Sequence, residues 1–435
     1  MSRFLLCCLV PLSLSSSVWA QQATDSETLI RLNVQPMPAP KPALRYLLLP
    51  ELREMQPGNP IPNFLKCVLE AEASADPNNI GKNALRQADQ AARLDKPDWQ
   101  ILLKAKTDGI GLLLPDLQKM RELAAALQMR FRVEVNQRRF DDAIVTAKTM
   151  FAMSRHLGEH PTLIGDLVGI AIAQVTIGPL EEMLEQPGCP NLYWALTNLP
   201  QPFISLDQGM QGERLMIHAE LRDLDDSQPM TPEQLKRMAD RIDRLIERSG
   251  ETRERLNERR LQPLWLAAAY NHRLEEGLPK EKLLQFPLDQ VLLLEEKREF
   301  QVRRDDQMKV MTLPYWEMAR LVDTWFINGR KVIDEPALFD SLLPNMIRVR
   351  QAQGRLEQRI GMMRHMEAIR IYAAEHGGKL PEKLADITLP LPVDPFTGKP
   401  FRYQLDGETA HLRGTPPKGR GEAAFNLHYE ITIQK

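Results

Sequence analysis

The chain has 435 residues, 43% hydrophobic and 26% charged, and 56 Lys+Arg against 58 Asp+Glu leave a formal net charge of −2. This is an ordinary globular composition, long enough for two or three domains of about 100–200 residues. Balanced charge without a one-sided basic stripe argues against nucleic acid as a partner.

Residues 1–20 read as a secretory signal. Arg3 supplies a positive start, residues 4–14 an apolar run, and Val18-Trp19-Ala20 a cleavage-site pattern. The run is too short to cross a bilayer of about 30 Å. Cys7 and Cys8 lie inside it without a lipobox-like context, so no lipid anchor is expected. The expected mature chain, 21–435, is exported to the periplasm or the medium. Its cysteines, Cys67 and Cys189, are too few for a disulfide scaffold and fit either one bridge or two free thiols.

Residues 21–62 carry Pro36, Pro38, Pro40, Pro42, Pro50, Pro57, Pro60 and Pro62. Alternating proline removes backbone donors and favours extended chain, which predicts a linker with a short helix over 44–52.

Residues 63–343 read as a helical body. Leu117, Met120, Leu123, Ala124, Leu127, Phe131 and Val135 recur at three and four, on one helix face. After Arg138-Arg139 a second helix starts at Phe140 and the Asp141-Asp142 pair, and Gly158 and Pro161 end it. The Phe140-x-x-Ala143-x-x-x-Ala147 spacing resembles the second half of a tetratricopeptide-type repeat, over one period of roughly 34 residues. Residues 162–180 are the most apolar of the mature chain and contain Gly165-x-x-x-Gly169. That pair suits a close-packed membrane helix or a core helix. Asp166 and Pro179 favour the core, so no integral membrane segment is expected after signal removal. Thr231-Pro232-Glu233-Gln234 is a capping box. The following Arg237, Arg241, Arg244 and Arg248 are interleaved with acids, the pattern of a solvated, ion-paired face. Trp316, Trp325 and Phe326, near Arg320 and Asp323, read as core or as a groove lining.

The pattern changes at 344–435. A helix over 346–375 stops at Gly377-Gly378, and strands are expected at 400–405, 409–412 and 425–433, the first two joined by the Asp406-Gly407 turn signal. Tyr372, Gly377, Pro381 and Leu384, followed by Asp394, Pro395, Phe396, Gly398, Pro400, Phe401 and Tyr403, resemble the periplasmic end of type II secretion pseudopilins, over about the last 75 residues. They are also similar to exported bacterial proteins with this tail on a helical body. The resemblance implies a small α+β shape. It does not extend to a long apolar assembly helix or an acidic calcium loop, which have no counterparts here. Asp394, Gly398 and Tyr403 are expected to serve the turn and the sheet core.

His156-Leu157-Gly158-Glu159-His160 fits the H-x-x-E-H pattern of inverted zinc peptidases, with His156 and His160 as ligands and Glu159 as base. Rigid geometry is needed there, yet Gly158 and Pro161 mark a helix end. No G-x-S-x-G, Walker A loop, G-x-G-x-x-G or C-x-x-C occurs, and no cofactor is expected.

The reading is therefore a mainly α protein, a helical-hairpin (tetratricopeptide-like) body with a small C-terminal α+β pseudopilin-like domain. Its expected role is a non-catalytic envelope or secreted protein that binds another protein. The alternatives are a hydrolase, using zinc at His156, Glu159 and His160 or a carboxylate pair, and an accessory factor of secretion or surface assembly.

Overall fold

The computed structural model describes residues 27–72, 82–247, 250–328, 338–339, 342, 346–420 and 422–434. The expected signal at 1–20 lies outside them, as do Arg248 and the side chains of Asp323, Trp325 and Phe326. The protein is mainly helical, with a small four-stranded mixed sheet.

The first group of helices is α1 (Ile61–Glu72), α2 (Lys82–Ala91), α3 (Leu102–Asp108), α4 (Pro115–Asn136), α5 (Phe140–Leu157), α6 (Leu163–Leu184) and α7 (Tyr193–Thr197). The seven apolar positions that predict α4 are all buried. A three-residue turn joins α4 to α5, and the two pack together as a helical hairpin. Both rest on α6. The glycine pair makes that approach close. A Cβ on Gly169 would stand 2.7 Å from the Ser154 carbonyl, and one on Gly165 would strike the His160 ring. Ser154 Oγ donates to the Gly169 carbonyl at 2.6 Å. α6 is long and apolar enough to cross a membrane, and 67% of its most apolar window is buried against other parts of the protein.

A second group follows: α8 (Asp207–Leu221), α9 (Pro232–Leu245), α10 (Glu251–Arg260), α11 (Pro263–Glu275), α12 (Lys280–Leu283), α13 (Leu288–Val310) and α14 (Tyr315–Asn328). Thr231 and Gln234 cap α9 reciprocally, as the sequence predicts. Part of this group surrounds its own core, built on Ile217, Ile242, Leu256, Phe286, Leu292 and Phe300.

The long helix α15 (Met346–Glu375) matches the expected 346–375. The strands are β1 (Thr28–Val34), β2 (Arg402–Asp406), β3 (Thr409–Arg413) and β4 (Leu427–Ile433), in the order β1-β4-β3-β2. β2 and β3 form the expected hairpin across Gly407, which sits at φ +58°. β1 corrects the linker expectation. Residues 28–34 pair in parallel with β4, with Ile30, Leu32 and Val34 on the inner face and Leu29, Arg31 and Asn33 on the outer. The helix expected over 44–52 does not form: residues 44–51 are turns, bends and irregular chain, and a short 3₁₀ turn follows at Leu52–Glu54.

The inner sheet face packs on α6 and α15. Tyr429 donates to Glu181 of α6, whose other oxygen pairs with Arg359 of α15 at 2.6 Å. The expected boundary at 343/344 is not a boundary between cores. Met362, Met366, Leu412 and Tyr429 share one apolar cluster with Phe131, Phe151 and Leu180. Cys67 and Cys189 are free and buried, and burial pushes both thiols up to about 12.

Candidate functional site

α15 presents Arg350, Glu357 and Arg364 at intervals of seven residues, two helical turns apart, which places them in one row. The row forms the floor of a cleft of about 750 Å³. Its walls come from the end of α5 (Arg155, Gly158, Glu159), the 199–207 loop, the α13–α14 junction (Met311 to Trp316) and the 392–395 segment. A cleft of this size, mostly apolar with a few convergent polar groups, is the usual form of a ligand site.

The electrostatics of the cleft are uneven. Arg350 is 7% exposed; it donates to the Leu313 carbonyl at 2.6 Å and to Gln353, and its Nε has no partner. Burial pulls its guanidinium below the usual value, while nearby Glu357 and Tyr315 oppose that shift. Arg364, also 7% exposed, makes one long bond, 3.4 Å to the Pro390 carbonyl. Its Nε is unpartnered, it lies 6.0 Å from the Tyr193 ring centroid, and no described carboxylate forms an ion pair with it. Among the described residues Arg155 reaches only the Phe203 carbonyl, at 3.4 Å. Of the acids, burial raises Glu357 against the pull of Arg350, and partial burial raises Glu159, at the mouth, against Arg155. Three guanidiniums and three carboxyls, Glu159, Asp207 and Glu357, line the cleft, and none of the three acids pairs with Arg364 among the described residues. A desolvated guanidinium without an anion is costly, and a ligand anion would offset that cost.

The H-x-x-E-H residues do not converge. α5 ends at Leu157 with Gly158 as its cap. The His156 ring packs 5.9 Å from Phe64, and its Nδ1 has no partner. The His160 ring stands 4.7 Å from Trp99, with its Nδ1 2.8 Å from Thr162 Oγ1. Burial lowers both imidazoles to about 4. Glu159 turns instead to the cleft. Among the described residues, the set whose ligand atoms lie within metal range is His411, His428 and Glu430.

The tail motif serves structure. Asp394 is 1% exposed and accepts from the backbone of Phe396 at 2.9 Å and of Thr415 at 2.7 Å, and from Gln358 at 3.2 Å. Tyr403 donates to the Pro381 carbonyl at 2.6 Å. Gly398 lies against Trp316, one of the cleft residues. The seven-residue spacing of Arg350, Glu357 and Arg364 is legible in the sequence, whereas their burial is not.

No protein-family model matches this chain, and neither does any curated protein or solved structure.

Proposed function

We propose that the chain is a non-catalytic, exported binding protein of the envelope or the medium, and that the α15 cleft is where it holds its partner. The observation that carries this reading is Arg364, a buried guanidinium on the cleft floor with no carboxylate of its own among the described residues. The cleft combines that cation and Arg350 with an apolar lining that includes Phe203, Met311 and Ile360. An apolar peptide segment ending in a carboxylate fits this chemistry, and the free end of another protein supplies both parts. The α4–α5 hairpin with its Phe140, Ala143 and Ala147 spacing supports a tetratricopeptide-like body. The Asp394-Pro395-Phe396 turn beside the β2–β3 hairpin supports a pseudopilin-like tail.

The test uses residues 21–435 and short apolar peptides with free or amidated C-termini, followed by titration calorimetry. Free-acid peptides should bind, and amidation or Arg364→Gln should each weaken binding about 10–100-fold, the worth of a charge-assisted hydrogen bond. Equal binding of both peptide forms, or none of either, would sink the proposal.

A second reading, a carboxylate hydrolase, is favoured by one observation. Glu159 and Glu357 line the same cleft, and both are shifted toward the protonated form that a general acid needs. Turnover of glycoside or peptide substrates, abolished by Glu357→Gln, would establish it in place of simple binding.

A further inference from the structure

The outer face of the sheet carries a cluster used by neither the cleft nor the core. His411 on β3 lies directly opposite Glu430 on β4, and His428 is two residues earlier on the same face of β4. His411 Nδ1 is 3.0 Å from His428 Nε2 and 4.0 Å from Glu430 Oε1. His428 Nδ1 is 2.8 Å from Glu27 Oε2.

The tautomers follow from these distances. An ionised carboxylate only accepts, so His428 donates from Nδ1 to Glu27 and keeps a lone pair on Nε2. That lone pair points at His411 Nδ1. A carboxylate behind one ring nitrogen is the arrangement that orients and strengthens a metal-ligating histidine. Zinc takes nitrogen at about 2.0–2.1 Å in tetrahedral geometry, which puts two ligand nitrogens about 3.3 Å apart. The histidine pair is already near that spacing, and Glu430 needs a small side-chain rotation to join it. Arg31, which pairs with Glu430 at 3.0 Å, has a side chain 77% exposed and can leave at little cost. Arg413, 3.4 Å from Glu27, faces the second-layer carboxylate.

We propose that His411, His428 and Glu430 form a site for a divalent ion of the zinc class, with Glu27 fixing His428 in the ligating tautomer. Two imidazoles and one carboxylate select zinc, nickel or copper over calcium and magnesium, which prefer all-oxygen shells. When the ion binds, His411 presents its Nδ1 lone pair and carries its proton on Nε2. Because Glu27 precedes β1, the ion would also fix the residue ahead of that strand to β4.

The test uses metal-free residues 21–435 titrated with Zn²⁺ alone, with Co²⁺ as a spectroscopic probe. The wild type should bind one equivalent and show the ligand-field bands of tetrahedral Co²⁺. His411→Ala, at a partly exposed position, should lose at least about tenfold in affinity while keeping its helical circular dichroism. Glu27→Gln should weaken binding about 10–100-fold, as loss of a supporting carboxylate does. Absence of stoichiometric Zn²⁺ binding would overturn the proposal. So would equal binding by wild type and His411→Ala, or an equivalent that survives His411→Ala but is lost in His156→Ala.

Discussion

Arg370 and Glu367 lie one turn apart on α15, both with fully buried side chains, and Arg370 NH1 meets Glu367 Oε2 at 2.9 Å. The pair joins three distant segments. Arg370 donates to the carbonyls of Gln35 at 3.0 Å and Cys189 at 2.8 Å, while Glu367 accepts from the Leu192 backbone at 2.8 Å and from Asn191 Nδ2 at 2.7 Å. Removing one partner leaves the other charge desolvated and alone. Arg370→Met should therefore cost about 3–5 kcal/mol. The matched double variant, Arg370→Met with Glu367→Leu, should recover part of that loss. Urea unfolding of both variants checks this, and a double variant no more stable than Arg370→Met would count against the pair as the unit of stability.

Asp166 is fully buried on α6, neither oxygen has a partner, and burial, with Glu213 and Asp207 adding like charge, pushes its carboxyl up to about 9. The unfolded value is about 3.9. Between these values the folded state holds the extra proton, so stability falls as pH rises through the window and levels off above it. Asp166→Asn removes this dependence. From about pH 5 to about pH 8 the variant should gain on the wild type by up to about 1.4 kcal/mol per pH unit. Denaturation curves that shift in parallel at both pH values would refute it.

His365 titrates in the opposite sense. It is 1% exposed, its ring lies 4.8 Å from Phe401, its Nδ1 is 2.8 Å from the Gly361 carbonyl, and burial lowers it to about 4. Its unfolded value is about 6.5. Between the two the unfolded chain binds the extra proton, so this contribution is present above about 6.5 and is lost as pH falls toward 4. His365→Gln should be less stable than the wild type at neutral pH and should lose less on acidification, by up to about 1.4 kcal/mol per pH unit. Identical acid slopes in thermal melts would contradict the assignment.

Leu32 distinguishes a strand from a linker at the N-terminus. It is 2% exposed and lies in register with Ile431. Leu32→Ala should cost about 3 kcal/mol, as burial in a packed core implies. A cost within about 0.5 kcal/mol, normal for an exposed position, would show that β1 does not hold.

Truncation tests the shared core. Residues 344–435 include α15, which packs against α6 and α7, and three of the four strands, of which β4 packs on α15. Residues 21–343 alone should lack a cooperative thermal transition and should expose apolar surface. A sharp native-like melt of that fragment, followed by circular dichroism, would show that the body folds independently.

Most of what the sequence determined is local. The faces of α4 and α5, the Thr231–Gln234 cap, the extent of α15 and the β2–β3 hairpin each follow from residues within a turn or two of one another. The period-two pattern of Ile30, Leu32 and Val34 is equally local, but the prolines that follow it favour extended linker. Tertiary structure decided what depends on segments far apart in the chain. Thr28 meets Leu427 across the sheet, Arg364 faces a cleft walled by four other segments, and the H-x-x-E-H imidazoles point to separate neighbours while His411 and His428 converge. Spacing along a chain sets which side chains share a helix face or a strand face. Only the packing of those faces sets which groups are desolvated together, and that packing brings the cleft arginines into one cavity and the two histidines side by side.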